Sequence, residues 1–313
     1  MIKFHIPGIK RHHDLNMTLI TTLEEHPEYF YDDITISGVY GCFTPSLFNG
    51  GRNINTMISD EQERKDLIEL YNSLDIGIIY TFTNTSLEPF DFGDYYCNED
   101  IRNIINRLDI NKIIVADENL KQYIHNHYVE YDIKFIASIT SEFNSNITEL
   151  KVKENEYDLL VLGYNFNNTA QMLKIKNKEK YEILLNPQCV PKCPYEAEHY
   201  KNISDINANK KSMTEAFECP YKANDSVDIN ELLKSKKVIT VEDLYNKYVP
   251  AGFNVFKING RTAHDYYLSE YYLYYLVKPE HQDTVREILS ETFEPIDDDY
   301  EEEHSKRKED DNK

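Results

Sequence analysis

The run Ile76-Gly77-Ile78-Ile79-Tyr80-Thr81-Phe82 is apolar and rich in β-branched and aromatic residues, which predicts a buried strand. An amphipathic pattern over residues 59–74 predicts a helix before it, with Ser59 and Gln62 as a capping box. A second helical pattern begins at Asn98. Strands that alternate with helices predict right-handed βαβ units and a parallel sheet.

The same alternation continues along the chain in both directions. Residues 1–7 could form a short additional strand ahead of the main series. The eight strands of that series are predicted at residues 33–40, 76–82, 112–116, 133–139, 157–163, 181–185, 238–240 and 253–258. Eight such units in about 250 residues predict a (β/α)8 TIM-like barrel. An open doubly wound sheet is the alternative, but no G-x-G-x-x-G follows the first strands.

The chain contains no linker rich in Gly, Ser or Pro, so residues 1–293 are predicted to form a single domain. Residues 197–228 form a long insertion after strand six of the series, and long insertions in compact domains are usually functional. Residues 294–313 are strongly acidic and are predicted to be a disordered tail.

Charge and hydropathy restrict the possible partners. The formal net charge is −21, and the body stays acidic without the tail, which disfavours a nucleic-acid partner. No apolar run of 18 residues exists, so no membrane span is expected. The first residues do not form a signal peptide. We therefore expect a cytoplasmic protein with reduced thiols.

A proline-rich cysteine loop follows the predicted strand 181–185. Its sequence is Asn-Pro-Gln-Cys-Val-Pro-Lys-Cys-Pro-Tyr over residues 186–195, with thiols at Cys189 and Cys193. Cys219 lies further on in another Cys-Pro-Tyr segment. Prolines at these places hold a loop in fixed turns. A stiff loop that presents thiols at a strand end is typical of a metal or cluster site.

The five cysteines are all predicted to lie at the C-terminal mouth of the barrel, where active sites of this fold form. Thiols suit iron–sulfur clusters or zinc, and a four-iron cluster usually takes four cysteines. Three come from the loop and its insertion, and Cys42 is the preferred fourth because it directly follows a strand. The role of Cys97 is left open. Buried cysteines that pack as small hydrophobic residues are the alternative.

Three features together resemble the collagenase-like peptidase family (family U-thirty-two). They are the loop cysteines, the cysteine after the first strand of the series, and the segment Phe256-Lys257-Ile258-Asn259-Gly260-Arg261. The family carries a Lys-Ile-Glu-Gly-Arg-like segment before its last helix, and Asn259 stands where Glu is usual. The resemblance implies a four-iron cluster on four cysteines and oxygen-independent hydroxylation of RNA or quinone precursors. The placement of Cys42 is more similar to the partner subunit of the quinone pathway.

Polar residues at other strand ends are candidates for binding a small-molecule or peptide substrate. Arg52 and Arg261 each follow glycine, and arginine binds carboxylate or phosphate in a bidentate manner. Amides at strand ends could orient a polar substrate, and these are Asn84, Asn165 and Asn186.

Further charged residues are predicted to have structural or surface roles. Lys257 points into the barrel and could be an ion-pair partner. The histidines of the pairs His12-His13 and His125-x-His127 are interpreted as surface residues. No Ser-His-Asp arrangement, G-x-S-x-G elbow or H-E-x-x-H motif is present, so the sequence offers no peptidase mechanism.

Two functions from different classes follow from these observations. The first is an iron–sulfur-dependent modifying enzyme that resembles oxygen-independent hydroxylases, with its cluster on Cys42, Cys189, Cys193 and Cys219. The alternative is a non-catalytic subunit that a cluster or zinc stabilises and that forms a hetero-oligomer with a related enzyme. A barrel without metal, with its thiols in the core, is a third interpretation.

Overall fold

The computed structural model describes residues 1–43, 46–50, 59–141, 146–221 and 226–294. In these residues eight parallel strands close a barrel in chain order, and this confirms the (β/α)8 TIM-like architecture. The strands are β1 Ile2–Pro7, β2 Ile34–Gly41, β3 Gly77–Phe82, β4 Lys112–Val115, β5 Phe135–Ala137, β6 Leu159–Leu162, β7 Tyr181–Leu184 and β8 Val255–Lys257.

Helices connect the strands and cover the outside of the barrel. Those of the described residues are α1 His13–Glu25, α2 Glu61–Ser73, α3 Tyr95–Ile104, α4 Glu118–His127, α5 Ile147–Lys153, α6 Ala170–Leu173, α7 Glu196–Asn207, α8 Ile229–Leu232, α9 Val241–Asp243, α10 Asp265–Leu276 and α11 Gln282–Ser290. None of them, within the part of the chain that the structure describes, is long and apolar enough to cross a membrane.

The strand count of eight is right, but one member differs from the prediction. Residues 1–7 supply β1, whereas residues 238–240 do not form a strand. Val238 and Ile239 are buried, and the Ile239 amide donates to the Leu185 carbonyl at 2.9 Å, just beyond the end of β7. One such bond places the segment against the barrel without building a ladder. The insertion therefore follows the seventh strand of the barrel.

The first turn of α2 also differs from the prediction. The capping residue is Asp60, whose side chain accepts a hydrogen bond from the Glu63 amide at 2.8 Å. Ser59 instead offers its carbonyl to the guanidinium of Arg64 at 3.1 Å. The predicted Ser59–Gln62 capping box is therefore wrong, because the neighbouring carboxylate takes the N-cap position.

The barrel interior is divided into an apolar side and a charged side. Side chains alternate between the two faces of each strand. An apolar cluster spans β2 to β6 and consists of Tyr40, Ile79, Ile114, Ile136 and Val161. The neighbouring strands β1, β7 and β8 instead carry the buried residues His5, Glu182 and Lys257. These three buried ionisable groups therefore lie on adjacent strands of the closed barrel.

The insertion packs across the mouth of the barrel near β3. The Asn84 side chain donates to the Ser204 carbonyl of α7 at 3.1 Å, and the Thr85 amide donates to the Ser204 hydroxyl at 3.1 Å. Asn207 of α7 donates to the Asn49 carbonyl at 3.3 Å. These contacts fix the insertion beside the strand ends. The predicted acidic tail, apart from Glu294, lies outside the described residues.

Gly77, at the start of β3, lies too close to neighbouring backbone to accept a side chain. A Cβ at this position would lie 2.3 Å from the Ile110 carbonyl oxygen. We expect Gly77→Ala to lower the free energy of unfolding by about 1–3 kcal/mol, because the backbone at Ile110 must shift to make room for the added methyl group. Gly93 is the control, since a Cβ added there would meet no heavy atom of the described residues within 4 Å. Urea unfolding of both variants measures the difference, and equal stability would contradict the prediction.

Candidate active site at the barrel mouth

A pocket of about 780 Å³, including its open entrance, lies at the C-terminal ends of the strands. Its floor is apolar, with Ile114, Val161 and Leu184, and its walls carry hydroxyl groups and two cations. The polar side chains around it include Tyr40, Thr81, Thr83, Ser138, Thr140, Tyr164, Gln188, Lys257 and Arg261. We call it the mouth pocket.

Lys257 is the last residue of β8 and contributes a buried ammonium group to the mouth pocket. Its Nζ lies 3.8 Å from Glu182 Oε2 and 3.8 Å from the centre of the Tyr40 ring. Burial lowers the pKa of Lys257 to about 8, although Glu182 acts in the opposite direction. The predicted ion pair is therefore present. The same lysine also lines the site, which the sequence did not indicate.

Arg261 lies on the same side of the mouth pocket as Lys257. Its Nη1 donates to the Thr81 hydroxyl at 2.9 Å, across the strand ends. Among the described residues, no acidic side chain forms an ion pair with Arg261. The second candidate arginine, Arg52, lies outside the described residues.

The cysteine loop and the insertion form a second, smaller cavity next to the mouth pocket. Cys189, Cys193 and Cys219 all line it, so the structure brings these three predicted residues together. Cys189 and Tyr200 line both cavities. We call the smaller one the thiol cavity. Its lining also includes His199, which the sequence prediction placed in no role.

The other two cysteines lie apart from the thiol cavity. Cys42 follows β2, and its Sγ donates to the Thr81 carbonyl at 3.3 Å. Burial raises the pKa of the Cys42 thiol to about 11. Cys97 lies in α3, fully buried, and accepts a hydrogen bond from the Phe48 amide at 3.4 Å. Both thiols are therefore held as neutral, hydrogen-bonded groups.

The residues meet the requirements of a metal or cluster only in part. Three soft donors share one cavity, which is the right chemistry for iron–sulfur or zinc. However, Cys42 does not line that cavity. No group of three or more Cys, His, Asp or Glu side chains in the described ranges is arranged to ligate a metal ion. The four-cysteine cluster therefore stays a prediction.

The three candidate amides bind protein backbone. Asn84 donates to the Leu47 carbonyl at 2.8 Å as well as to α7, and Asn186 donates to the Asn259 carbonyl at 3.1 Å. Asn165 is exposed and accepts from the Lys192 amide at 3.1 Å. Each amide thus fixes a loop at the mouth. None of the three lines the mouth pocket, and their role in substrate contact stays a prediction.

Lys237 binds the backbone of the cysteine loop, a role that the sequence did not indicate. It is 5% exposed, donates to the Val190 carbonyl at 2.9 Å, and lies 4.0 Å from the centre of the Tyr164 ring. Burial lowers the pKa of Lys237 to about 8, and the neighbouring Glu196 acts against this shift. Lys237 comes from an irregular segment, so no periodic pattern reveals it.

His12 is buried, which corrects its interpretation as a surface residue. Its Nε2 donates to the Gly260 carbonyl at 3.0 Å, and its Nδ1 hydrogen-bonds Asp265. Gly260 has a φ of +144°, a conformation that favours glycine. His12 therefore holds the turn from which Arg261 projects.

Comparison with known proteins finds a similar sequence and a similar solved structure. No family model matches the chain. The uncharacterized protease MJ1657 of Methanocaldococcus jannaschii is 24% identical over 161 residues, which are 50% of this chain and 47% of that protein. The chain therefore spans about half the length of the curated relative it matches. The solved U32 peptidase Mk0906 is 14% identical with a TM-score of 0.47, over 83% of this chain and 93% of that one.

The first of these proteins is named an uncharacterized protease and the second a U32 peptidase. The chain resembles the collagenase-like, U32 peptidase family, as its sequence predicts.

Proposed function

We propose that this chain is an enzyme whose active site is the mouth pocket and whose substrate carries a carboxylate. The observation that carries the proposal is the pair of cations at the end of β8. Lys257 and Arg261 both line the mouth pocket. Ammonium and guanidinium groups bind carboxylates through strong, charge-assisted hydrogen bonds.

The remaining walls of the pocket complement such a ligand. The apolar floor formed by Ile114 and Val161 accepts a hydrocarbon body, and hydroxyls such as Thr83 and Thr140 offer further hydrogen bonds. Tyr40 packs beneath Lys257 and donates its own hydroxyl to the Ile258 carbonyl at 2.7 Å. A small acid or the C-terminal end of a peptide fits these features.

Calorimetric titration with matched probe pairs tests the proposal. The pairs are benzoate with benzamide, and the tripeptide trialanine with its C-terminal amide. We expect the carboxylates to bind more tightly than the amides, because only they form ion pairs with the two cations. Equal binding of each pair, or no binding of any probe, would contradict a carboxylate site.

We further propose that the thiol cavity holds an iron–sulfur cluster, with zinc as the alternative, and that the protein is a hydroxylase-like modifying enzyme. The support is that three soft donors share one cavity that borders the mouth pocket through Cys189. Cys189, Cys193 and Cys219 would hold such a cluster, which would supply electron transfer next to the mouth pocket. The chain itself binds and orients the substrate at Lys257 and Arg261.

Iron, sulfide and zinc content after anaerobic purification tests the cluster. We expect about four irons per chain, lost in Cys189→Ala but kept in the buried control Cys97→Ala. Parallel variants Cys42→Ala and His199→Ala identify the fourth ligand, since His199 lines the thiol cavity and Cys42 does not. Unchanged iron in Cys189→Ala would contradict the site, and stoichiometric zinc would favour the alternative. Turnover of a substrate by the isolated chain would contradict the alternative hypothesis that the protein is a non-catalytic subunit.

A further inference from the structure

A buried carboxylate lies directly beneath the mouth pocket without lining it. Glu182 belongs to β7 and is completely buried. Its Oε1 accepts a hydrogen bond from His5 Nδ1 at 2.5 Å. Its Oε2 makes no hydrogen bond within the described residues and faces Lys257 Nζ at 3.8 Å. One carboxylate oxygen is therefore held, and the other is directed at the lysine of the site.

We propose that Glu182 is a positioning residue that keeps Lys257 charged and directed to the mouth pocket, so that anion binding depends on a carboxylate the ligand never touches. The inference rests on the proposed carboxylate site and deepens it. An ammonium group this deeply buried is costly without a nearby negative charge. His5 holds Glu182 in place by its hydrogen bond.

The charged groups around this pair come from several elements. Glu182 faces His5 of β1, Lys257 of β8 and, at longer range, Lys112 of β4. Lys257 faces Glu182 and, with a repulsive effect, Arg261. Among the described residues, Glu182 is thus an acidic group that offsets the charge of Lys257. Lys257, whose pKa burial lowers to about 8, loses its charge as the pH rises through that value. Without the Glu182 carboxylate, Lys257 loses its charge at a lower pH.

The test is the pH dependence of benzoate or trialanine binding in wild type and in Glu182→Gln. In wild type we expect binding to weaken as the pH rises through about 8. In Glu182→Gln we expect the same loss about one pH unit lower, so that at pH 8 the variant binds about fivefold more weakly than wild type. Near pH 6 both proteins should bind, because Lys257 is charged in both. Coincident pH profiles would overturn the inference.

A second measurement reports on Lys257 without any ligand. Acetic anhydride acetylates only the neutral amine, and mass spectrometry reads the modification of Lys257 against that of surface lysines in the same sample. We expect its reactivity to rise at lower pH in Glu182→Gln than in wild type, and an unchanged profile would overturn the inference. Should the Gln variant not fold, Glu182→Asp keeps a charge further from Lys257 and shifts both profiles less, in the same direction. If wild type binds no carboxylate while the acetylation profile shifts, the proposed function fails and the role of Glu182 stands.

Discussion

The double variant Lys257→Met, Arg261→Met is expected to lose carboxylate binding at the mouth pocket. A hydrogen bond to a charged group contributes about 1.5–3 kcal/mol, which corresponds to about 10- to 150-fold in affinity for each cation. Methionine keeps much of the side-chain volume and removes the charge. Calorimetric titration with benzoate at pH 7 measures the effect, because Lys257 is still charged there.

The control removes two positive charges that lie on the surface. Lys234 pairs with Glu231 and Arg102 pairs with Glu99, and the two residues of each pair are three positions apart. We expect Lys234→Met, Arg102→Met to bind benzoate as wild type does. If both double variants lose affinity equally, the effect reflects the overall charge of the protein, and the local site is contradicted.

The barrel could be predicted because its strands are short apolar runs between amphipathic helices. The run 112–116 corresponds to β4, Lys112–Val115, within one residue. The segment 238–240 misled the prediction, since a buried β-branched triplet looks the same whether it joins a ladder or lies beside one. Residues 1–7 contain the polar side chains Lys3 and His5, yet they form β1, because Lys3 is exposed and the buried His5 has Glu182 as its hydrogen-bond partner.

The sequence could predict which residues lie at the mouth of the barrel only from their position after a strand. Arg261 could be placed there because it follows a strand, and strand ends meet at the mouth. The three asparagines follow strands equally well, but their amides bind backbone groups that loops leave unpaired. Glu182 did carry a signal, since it is a single charge inside an apolar strand and such charges are rarely buried without a partner. Its partners come from β1 and β8, and no local pattern identifies them.

Arg64→Met is expected to cause the largest loss of stability among the changes considered for the scaffold. Arg64 of α2 lies 3.2 Å from Asp100 of α3, and both side chains are buried. Removing the cation leaves a buried carboxylate without its partner, which costs about 3–5 kcal/mol. Urea unfolding near pH 9, where Asp100 is ionised in the wild type, measures the loss. Arg102→Met is the matched control, because its exposed pair with Glu99 contributes less than about 1 kcal/mol.

The pH dependence of the same variant separates a charge effect from a packing effect. Burial raises the pKa of Asp100 to about 7, while Arg64 acts to lower it. A carboxyl whose folded pKa is raised loses stability as the pH rises from its unfolded pKa to its folded pKa. Without Arg64 the folded pKa rises further, so the stability deficit of Arg64→Met should grow above pH 7 and shrink near pH 5, where Asp100 is protonated. A deficit that is constant with pH would mean that Arg64 stabilises the contact between α2 and α3 by packing on Phe43 and Tyr96 alone.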